Sequence, residues 1–126
     1  MNAVVKEWIA KAEEDWRVAN REFQITNEPA YAIVCYHSQQ CAEKYMKALL
    51  ISHNIRPEYT HDLIKLSLNI TEIIIDWVFD KDKLYFLNNG GTHYWYPGET
   101  AYFEDAEYCF EICNEIKNKI AMLLSN

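Results

Sequence analysis

Two pairs of possible metal ligands stand one helical turn apart in this sequence. His37 and Cys41 form one pair, and Cys109 and Cys113 form the other. On a helix, residues four apart lie on the same face, where two such side chains can bind Zn²⁺ together. Neither pair has the spacing of a zinc finger, and both lie on apolar stripes. We therefore interpret all four cysteines, Cys35 included, as reduced and packed thiols, and we predict no metal and no cofactor.

His93 is a further residue that could do chemistry, and it lies in the aromatic stretch THYWYPG. An imidazole transfers protons near neutral pH, and the rings of Tyr94, Trp95 and Tyr96 can stack on nucleic-acid bases. The alternative is structural, with His93 as a hydrogen-bonding residue and the rings in a seam within the domain or between two copies of the chain. The sequence favours the seam, because residues 84–116 contain no Lys or Arg while acidic residues accumulate there.

Three residues elsewhere could contact a phosphate or a polar substrate. Lys44 and Lys47 are the best candidate cations for a phosphate, although lysines on a helix surface are more often simply solvated. His61 follows Thr60, which is a good N-cap for a short helix from His61 to Leu68. His61 would then belong to the first turn of that helix, and this structural role is the alternative to a role in binding.

Composition and charge limit the classes of function. The 126 residues carry a formal net charge of -7, which argues against strong non-specific binding to DNA and against binding to anionic membranes. Half of the residues are hydrophobic, with only three Gly and three Pro, so we predict one helix-rich domain over residues 1–126. No apolar window is long enough for a membrane span or a signal peptide, so we expect a cytoplasmic protein.

The elements that would position these residues are helices. The stretch Pro29–His53 has no interior Gly or Pro and is apolar on more than one face, which predicts a central helix with Pro29 in its first turn. A first helix is predicted over Val5–Phe23, and a last helix follows a cap at Thr100. Each of these two has one main apolar stripe, in the last helix formed by Tyr102, Ala106, Cys109, Cys113, Ile116, Ile120 and Leu123.

Two shorter segments complete the predicted architecture. Asp80 can cap a helix that ends near Asn89, where Gly90 and Gly91 supply a stop. The segment Ile70–Phe79 favours a strand by local propensity, but a lone strand would have no partner, so we expect a helical turn or irregular packing. The predicted fold is therefore all-α, an antiparallel up-and-down bundle of four to five helices.

Three segments in this order are similar to those of a known family. They are YHSQQCAEKYMKALL from Tyr36 to Leu50, THDL from Thr60 to Leu63, and the Tyr96–Pro97 pair before the last helix. Together they resemble the HEPN family, the higher eukaryote and prokaryote nucleotide-binding domains. The resemblance covers nearly the whole chain. It implies an antiparallel helical bundle that often dimerises, and an association with small nucleotidyltransferases encoded alongside.

Some HEPN members are metal-independent ribonucleases with a motif of Arg, a polar residue, three or more variable residues, and His. The arginine stabilises charge on the scissile phosphate while the histidine moves protons. The nearest match here is NNGGTH, in which Asn88 stands in place of the arginine, Asn89 is the polar residue, and His93 is the histidine. Asparagine carries no charge, so catalysis should be greatly weakened. Gly90 and Gly91 should also disturb a helix joining the two groups.

A second HEPN branch carries Arg-Tyr-Pro before the last helix, and here Trp95 replaces that arginine as well. We therefore expect a binding module that forms a homodimer and acts with a separate minimal nucleotidyltransferase. Its contacts to a nucleotide, RNA or other substrate would come from Lys44, Lys47, His61, Asn89, Trp95 and Tyr96.

The alternative is a ribonuclease of the toxin or defence type, in which His93 transfers the proton and Asn88 or a distant lysine replaces the arginine. A purely structural dimer is a third possibility.

Overall fold

Long runs of helix-favouring residues without interior Pro determine the architecture. The computed structural model describes residues 1–125, and in that part of the chain every regular element is helical. The predicted all-α antiparallel bundle is confirmed. Its helices are α1 (Ala3–Gln24), α2 (Tyr31–Ser52), α3 (Leu63–Thr71), α4 (Lys81–Gly90) and α5 (Phe103–Leu124), and a short 3₁₀ turn spans His93–Trp95.

Helix α2 is the centre of the bundle and packs against the four other α-helices. It is buried on more than one face, as its apolar pattern predicts, and Met46 and Leu49 have no exposed surface. The predicted start was wrong by two residues, because Pro29 lies outside the helix and Ala30 still has a non-helical backbone (φ -91°, ψ 87°). The Glu22 carboxylate of α1 accepts a 2.9 Å hydrogen bond from the Ala30 backbone N–H, which fixes this link.

Helix α5 packs along α2 through the predicted stripe, but its cap differs from the prediction. Tyr102 occupies the N-cap position rather than Thr100. The Asp105 carboxylate reaches back to accept a 2.9 Å hydrogen bond from the Tyr102 backbone N–H, and this return bond selects the start of the helix. Tyr102 is exposed, so the predicted stripe is buried within this chain only from Ala106 onward. The residues of α5 that are buried are Ala106, Cys109, Ile112, Cys113, Ile116 and Ile120.

The predicted cap of α3 was also wrong. Asp62 is the N-cap, and its carboxylate accepts a 2.9 Å hydrogen bond from the Ile64 backbone N–H. Thr60 instead accepts a hydrogen bond from the Asp62 backbone N–H, at 3.1 Å. His61 therefore lies in the loop before α3 and not in its first turn. A carboxylate outcompetes a hydroxyl here because it also interacts favourably with the helix dipole.

The segment after α3 is irregular, as predicted. Buried Trp77 anchors it by donating a 2.9 Å hydrogen bond from Nε1 to Ser67 Oγ. Asp80 caps α4 as predicted, accepting hydrogen bonds from the backbone N–H groups of Asp82 and Lys83 at 2.8 and 3.3 Å. Within the described residues, no helix combines the length and the apolar character that a membrane crossing requires.

Candidate functional site

A polar cleft lies where α2 meets α4 and the loop before α3. Its volume is about 420 Å³, and we call it the amide cleft because Asn and Gln side chains dominate its lining. It brings together the predicted site residues His61, Asn88 and Asn89, which come from two distant parts of the sequence. The full lining consists of Tyr36, Gln39, Gln40, His61, Asp62, Asn88, Asn89, Gly91 and Thr92.

Asn88, at the arginine position of the expected ribonuclease motif, is engaged in holding the start of α3. Its Oδ1 accepts a hydrogen bond from the Leu63 backbone N–H at 2.9 Å. Its Nδ2 donates to Asp62 Oδ1 at 2.8 Å. An arginine would stabilise a phosphate from this position, whereas the asparagine amide is directed at a helix cap and a carboxylate. These two hydrogen bonds give Asn88 a structural role at the start of α3.

His93 is separated from Asn88 by a change of backbone direction. Helix α4 ends at Gly90, and His93 begins the 3₁₀ turn that follows. Its Nε2 lies 2.9 Å from the Glu99 carboxylate, and both side chains are about half exposed. Of the two glycines between them, Gly90 lies inside the helix and Gly91 is its C-cap, so the predicted stop is confirmed to within one residue.

A buried carboxylate that sequence reasoning missed stands behind the amide cleft. The Glu43 side chain is only 4% exposed, and its Oε1 lies 2.9 Å from His61 Nδ1. Its other oxygen accepts a 3.1 Å hydrogen bond from Lys47 Nζ. Gln39 Nε2 bonds the His61 carbonyl at 2.9 Å and approaches Glu43 at 3.3 Å. This network ties the loop before α3 to α2, because a buried charge is tolerated only when it is paired.

The two lysines of the central helix face away from the amide cleft. The Lys47 side chain is only 8% exposed, so it is not a solvated surface lysine. Lys44 Nζ bonds Asp15 Oδ2 of α1, and the other oxygen of that carboxylate lies 2.8 Å from His37 Nδ1. The only sequence signal for these buried pairs was the four-residue spacing of Glu43 and Lys47, which is common on exposed helices as well.

The aromatic stretch after α4 is mostly at the surface. Trp95 donates a 3.1 Å hydrogen bond from Nε1 to the Gly91 carbonyl, and its ring meets Tyr36 edge to face at 5.4 Å. Tyr96 is exposed. Tyr94 is partly buried, and this burial together with the nearby Asp105 carboxylate raises the pKa of its phenol above the ordinary range. Trp95 therefore borders the amide cleft, whereas Tyr96 does not line it.

The four cysteines are packed between α2 and α5. All are buried and free of disulfides, and this packing confirms the prediction. The neighbouring Cys113 thiol and burial raise the pKa of Cys41 above the ordinary thiol range, and the neighbouring Cys35 thiol and burial do the same for Cys109. Within residues 1–125 no three His, Cys, Asp or Glu side chains group closely enough to hold a metal ion.

The chemistry of the amide cleft is hydrogen bonding without strong positive charge. The amides of Gln40 and Asn89 and the hydroxyl of Thr92 can pair with polar groups on a neutral ligand. In the described part of the chain no Lys or Arg lines this cleft, while the Asp62 carboxylate does. A phosphate would therefore be poorly stabilised here unless a partner supplied the cation.

Comparisons with known proteins agree with this architecture. The structure is similar to the crystal structure of TT1696 from Thermus thermophilus, with 18% identity, a TM-score of 0.75, and coverage of 94% of this chain and 96% of that one. It is also similar to ST0689, an archaeal HEPN homologue, with 25% identity, a TM-score of 0.67 and the same coverage. No curated protein sequence matches. A family model described as "HEPN domain" matches residues 5–123, and the chain therefore belongs to the HEPN domain family.

Proposed function

We propose that this chain is a HEPN binding module that acts with a separate minimal nucleotidyltransferase and does not itself cleave RNA. The observation that carries the proposal is the use of Asn88, whose amide holds the start of α3 by two hydrogen bonds. His93 is paired with a carboxylate rather than with a cation. A ribonuclease site needs positive charge at the scissile phosphate, and Asn88 does not supply it.

The amide cleft is the surface that would contribute ligand contacts. Asn and Gln side chains can form paired hydrogen bonds to the edge of a base, as they do with adenine. The exposed ring of Trp95 borders the cleft and offers a stacking surface. The neutral part of a nucleotide or polar substrate would occupy this cleft, and the nucleotidyltransferase would hold the phosphates and carry out the chemistry.

RNA cleavage by the purified protein in EDTA tests the absence of nuclease activity. We expect no cleavage by the wild type, by His93→Ala or by His53→Ala, in which an exposed histidine at the end of α2 is removed as a control. Cleavage that is lost only in His93→Ala would overturn the proposal. It would establish the alternative, a metal-independent ribonuclease that has replaced the missing arginine.

Association with the nucleotidyltransferase needs its own test. A reading frame for a minimal nucleotidyltransferase beside this one, and co-purification of the two proteins, are the expected results. Gln40→Ala and Asn89→Ala should weaken the binding of the partner's substrate to the complex without dissociating the two proteins. Failure of the proteins to co-purify would contradict the partnership.

Homodimerisation is part of the same proposal. Exposed aromatic side chains away from the amide cleft that could meet a second copy are Tyr96, Tyr102 and Phe103. Such rings are typical of the centre of protein interfaces. Light scattering should give twice the mass of one chain for the wild type and a lower mass for Tyr96→Asp. A monomeric wild type would contradict this part of the proposal.

A further inference from the structure

An apolar groove lies between α3, the α3–α4 link formed by residues 72–80, and the first turn of α4. Its volume is about 320 Å³, and we call it the α3 groove. It shares no lining residue with the amide cleft. Apolar side chains dominate the lining, namely Ile64, Leu68, Trp77, Val78, Phe79 and Leu84.

Large aliphatic side chains are exposed at the rim of this groove. Leu68 of α3 is mostly exposed, and Val78 of the link is 76% exposed. Ile75, three residues before Val78, is 93% exposed. Single exposed aliphatic residues are common on protein surfaces, but several of them beside an apolar groove are typical of an interaction site. Covering this rim with another protein would therefore be favourable.

The wall that the link contributes is held in place by hydrogen bonds. Trp77 lies buried beneath it and donates a 2.9 Å hydrogen bond from Nε1 to Ser67 Oγ of α3. Lys119 of α5 donates a 2.7 Å hydrogen bond to the Val78 carbonyl, and its Nζ lies 5.1 Å from the centroid of the Trp77 ring. Because these contacts are already present in the free chain, less conformational entropy is lost when a partner binds.

The charges beside the groove indicate the chemistry of its occupant. Glu72 and Asp76 of the link and Asp82 of α4 are exposed, and among residues 1–125 none of them forms an ion pair. They outnumber Lys81, the cation in the lining. A partner surface with an apolar centre and a basic rim is complementary to this arrangement. A second copy of the chain would bring the same acids to the same place, so it fits this groove less well.

The α3 groove adjoins the amide cleft along two helices. Leu84 of the groove precedes Asn88 of the cleft by one turn of α4, which is about 6 Å along the helix. At the start of α3, Ile64 of the groove follows Asp62 of the cleft by two residues. A protein seated in the groove is therefore within reach of a ligand in the cleft.

We propose that the α3 groove is the surface on which the nucleotidyltransferase docks, through an apolar face with a basic rim. This inference rests on the proposed function, in which the partner holds the phosphates of a substrate whose neutral part occupies the amide cleft. The groove meets that requirement, because a partner bound there would stand beside the cleft. The homodimer would use other residues, which include Tyr96 and Tyr102.

Biolayer interferometry with the full chain immobilised and the purified nucleotidyltransferase in solution tests the apolar contact. Val78→Asp should weaken the affinity about tenfold or more, because a charge replaces an apolar side chain that the partner would bury. Val4→Asp makes the same change at an exposed position of α1 outside the groove, and it should change the affinity less than about twofold. Both side chains are exposed, so both variants should fold. Equal losses would overturn the proposal.

The same instrument tests the basic rim of the partner. Asp76→Lys should slow association about threefold or more and weaken its dependence on salt, because a charge at the rim of an interface acts mainly on the association rate. Glu7→Lys makes the same change of charge at an exposed position of α1 and should slow association less than about twofold, since distant exposed charges are screened. Equal slowing in the two variants would overturn the proposed complementarity, since the effect would then be one of net charge.

Three further outcomes separate the docking surface from the partnership itself. If the wild type does not bind the nucleotidyltransferase, the proposed function fails and the docking surface fails with it. If the wild type and Val78→Asp bind equally well, the partnership stands and the α3 groove is excluded. Light scattering should give the same mass for Val78→Asp as for the wild type. A lower mass would show that the groove holds a second copy and would overturn the proposal.

Discussion

Two histidine–carboxylate pairs of the same length differ in their surroundings. His61 bonds Glu43 and His93 bonds Glu99, each at 2.9 Å. Glu43 is 4% exposed and also pairs with Lys47, whereas Glu99 is 46% exposed and faces solvent beside His93. Sequence motifs direct attention to His93, yet the more extensively bonded network is at His61. Distance alone therefore does not measure what a histidine–carboxylate pair contributes.

The difference follows from solvation. Water screens the His93–Glu99 pair, and exposed pairs contribute about 0–1 kcal/mol. Glu43 has lost most of its water and depends on Lys47, His61 and Gln39 to replace it. Removing one member of a buried pair leaves the other uncompensated, which costs far more than the pair contributes.

Among the variants that test this comparison, Glu43→Ala should cause the largest loss of stability. We expect a loss of about 3–5 kcal/mol in the free energy of unfolding by urea, because Lys47 would keep a buried charge without a partner. Glu99→Ala is the matched control and should cost less than about 1 kcal/mol. Equal losses in the two variants would contradict the contrast between the pairs. Glu43→Leu combined with Lys47→Met should recover much of the lost stability, since it removes both charges.

Gly90→Ala should cause an intermediate loss of stability. It tests whether the end of α4, just before His93, must pack closely against Cys109 and Cys35. A Cβ at residue 90 would lie 2.6 Å from Cys109 Sγ and 3.3 Å from Cys35 Cβ. We expect a net loss of about 1–2 kcal/mol, because the clash outweighs the better helix propensity of alanine. In the double variant with Cys109→Ala, the measured loss should be about 1 kcal/mol smaller than the sum of the losses in the two single variants. The reason is that Cys109→Ala removes the sulfur atom that a Cβ at residue 90 would meet. Strict additivity would show that the clash is relieved elsewhere.

Asn88→Ala should have the smallest effect of the three. We expect a loss of about 1 kcal/mol, because the hydrogen bonds to Leu63 and Asp62 are exchanged for bonds to water. Asn89→Ala removes the same type of side chain from an exposed position and should cost less than about 0.5 kcal/mol. Unfolding in urea measures both. If Asn88→Ala proved as mild as Asn89→Ala, Asn88 would not be a structural residue.

The helices could be predicted from sequence because each carries a regular apolar stripe. The central position of α2 also followed, since its apolar residues lie on several faces. The cap at Thr60 was mispredicted because the choice between neighbouring cap residues also depends on bonds from elsewhere, such as the one from Asn88 to Asp62. The cap at Thr100 was mispredicted for a local reason, because the Asp105 carboxylate accepts a hydrogen bond from the Tyr102 backbone N–H and so places the start of α5 two residues later.

The candidate site was less predictable than the fold. His61 lies in the same cleft as Asn88 and Asn89, although His61 and Asn88 are 27 residues apart in the sequence. Residue spacing alone does not predict that these segments meet. Glu43 looked like an ordinary acid on a helix, and its burial depends on how the loop before α3 returns to α2. Lys47 was selected as a cation for a phosphate, and the structure places it outside the lining of the amide cleft, near Trp8 and Arg56.

The four buried thiols can serve as natural probes of the separation of α2 from α5. Cys35 and Cys41 of α2 face Cys109 and Cys113 of α5, and all four are inaccessible in the folded state. A thiol reagent can modify them only when the two helices separate, because only an exposed thiolate reacts. The rate of modification, compared with that of the unfolded chain, therefore measures the free energy of opening between α2 and α5 without any introduced probe.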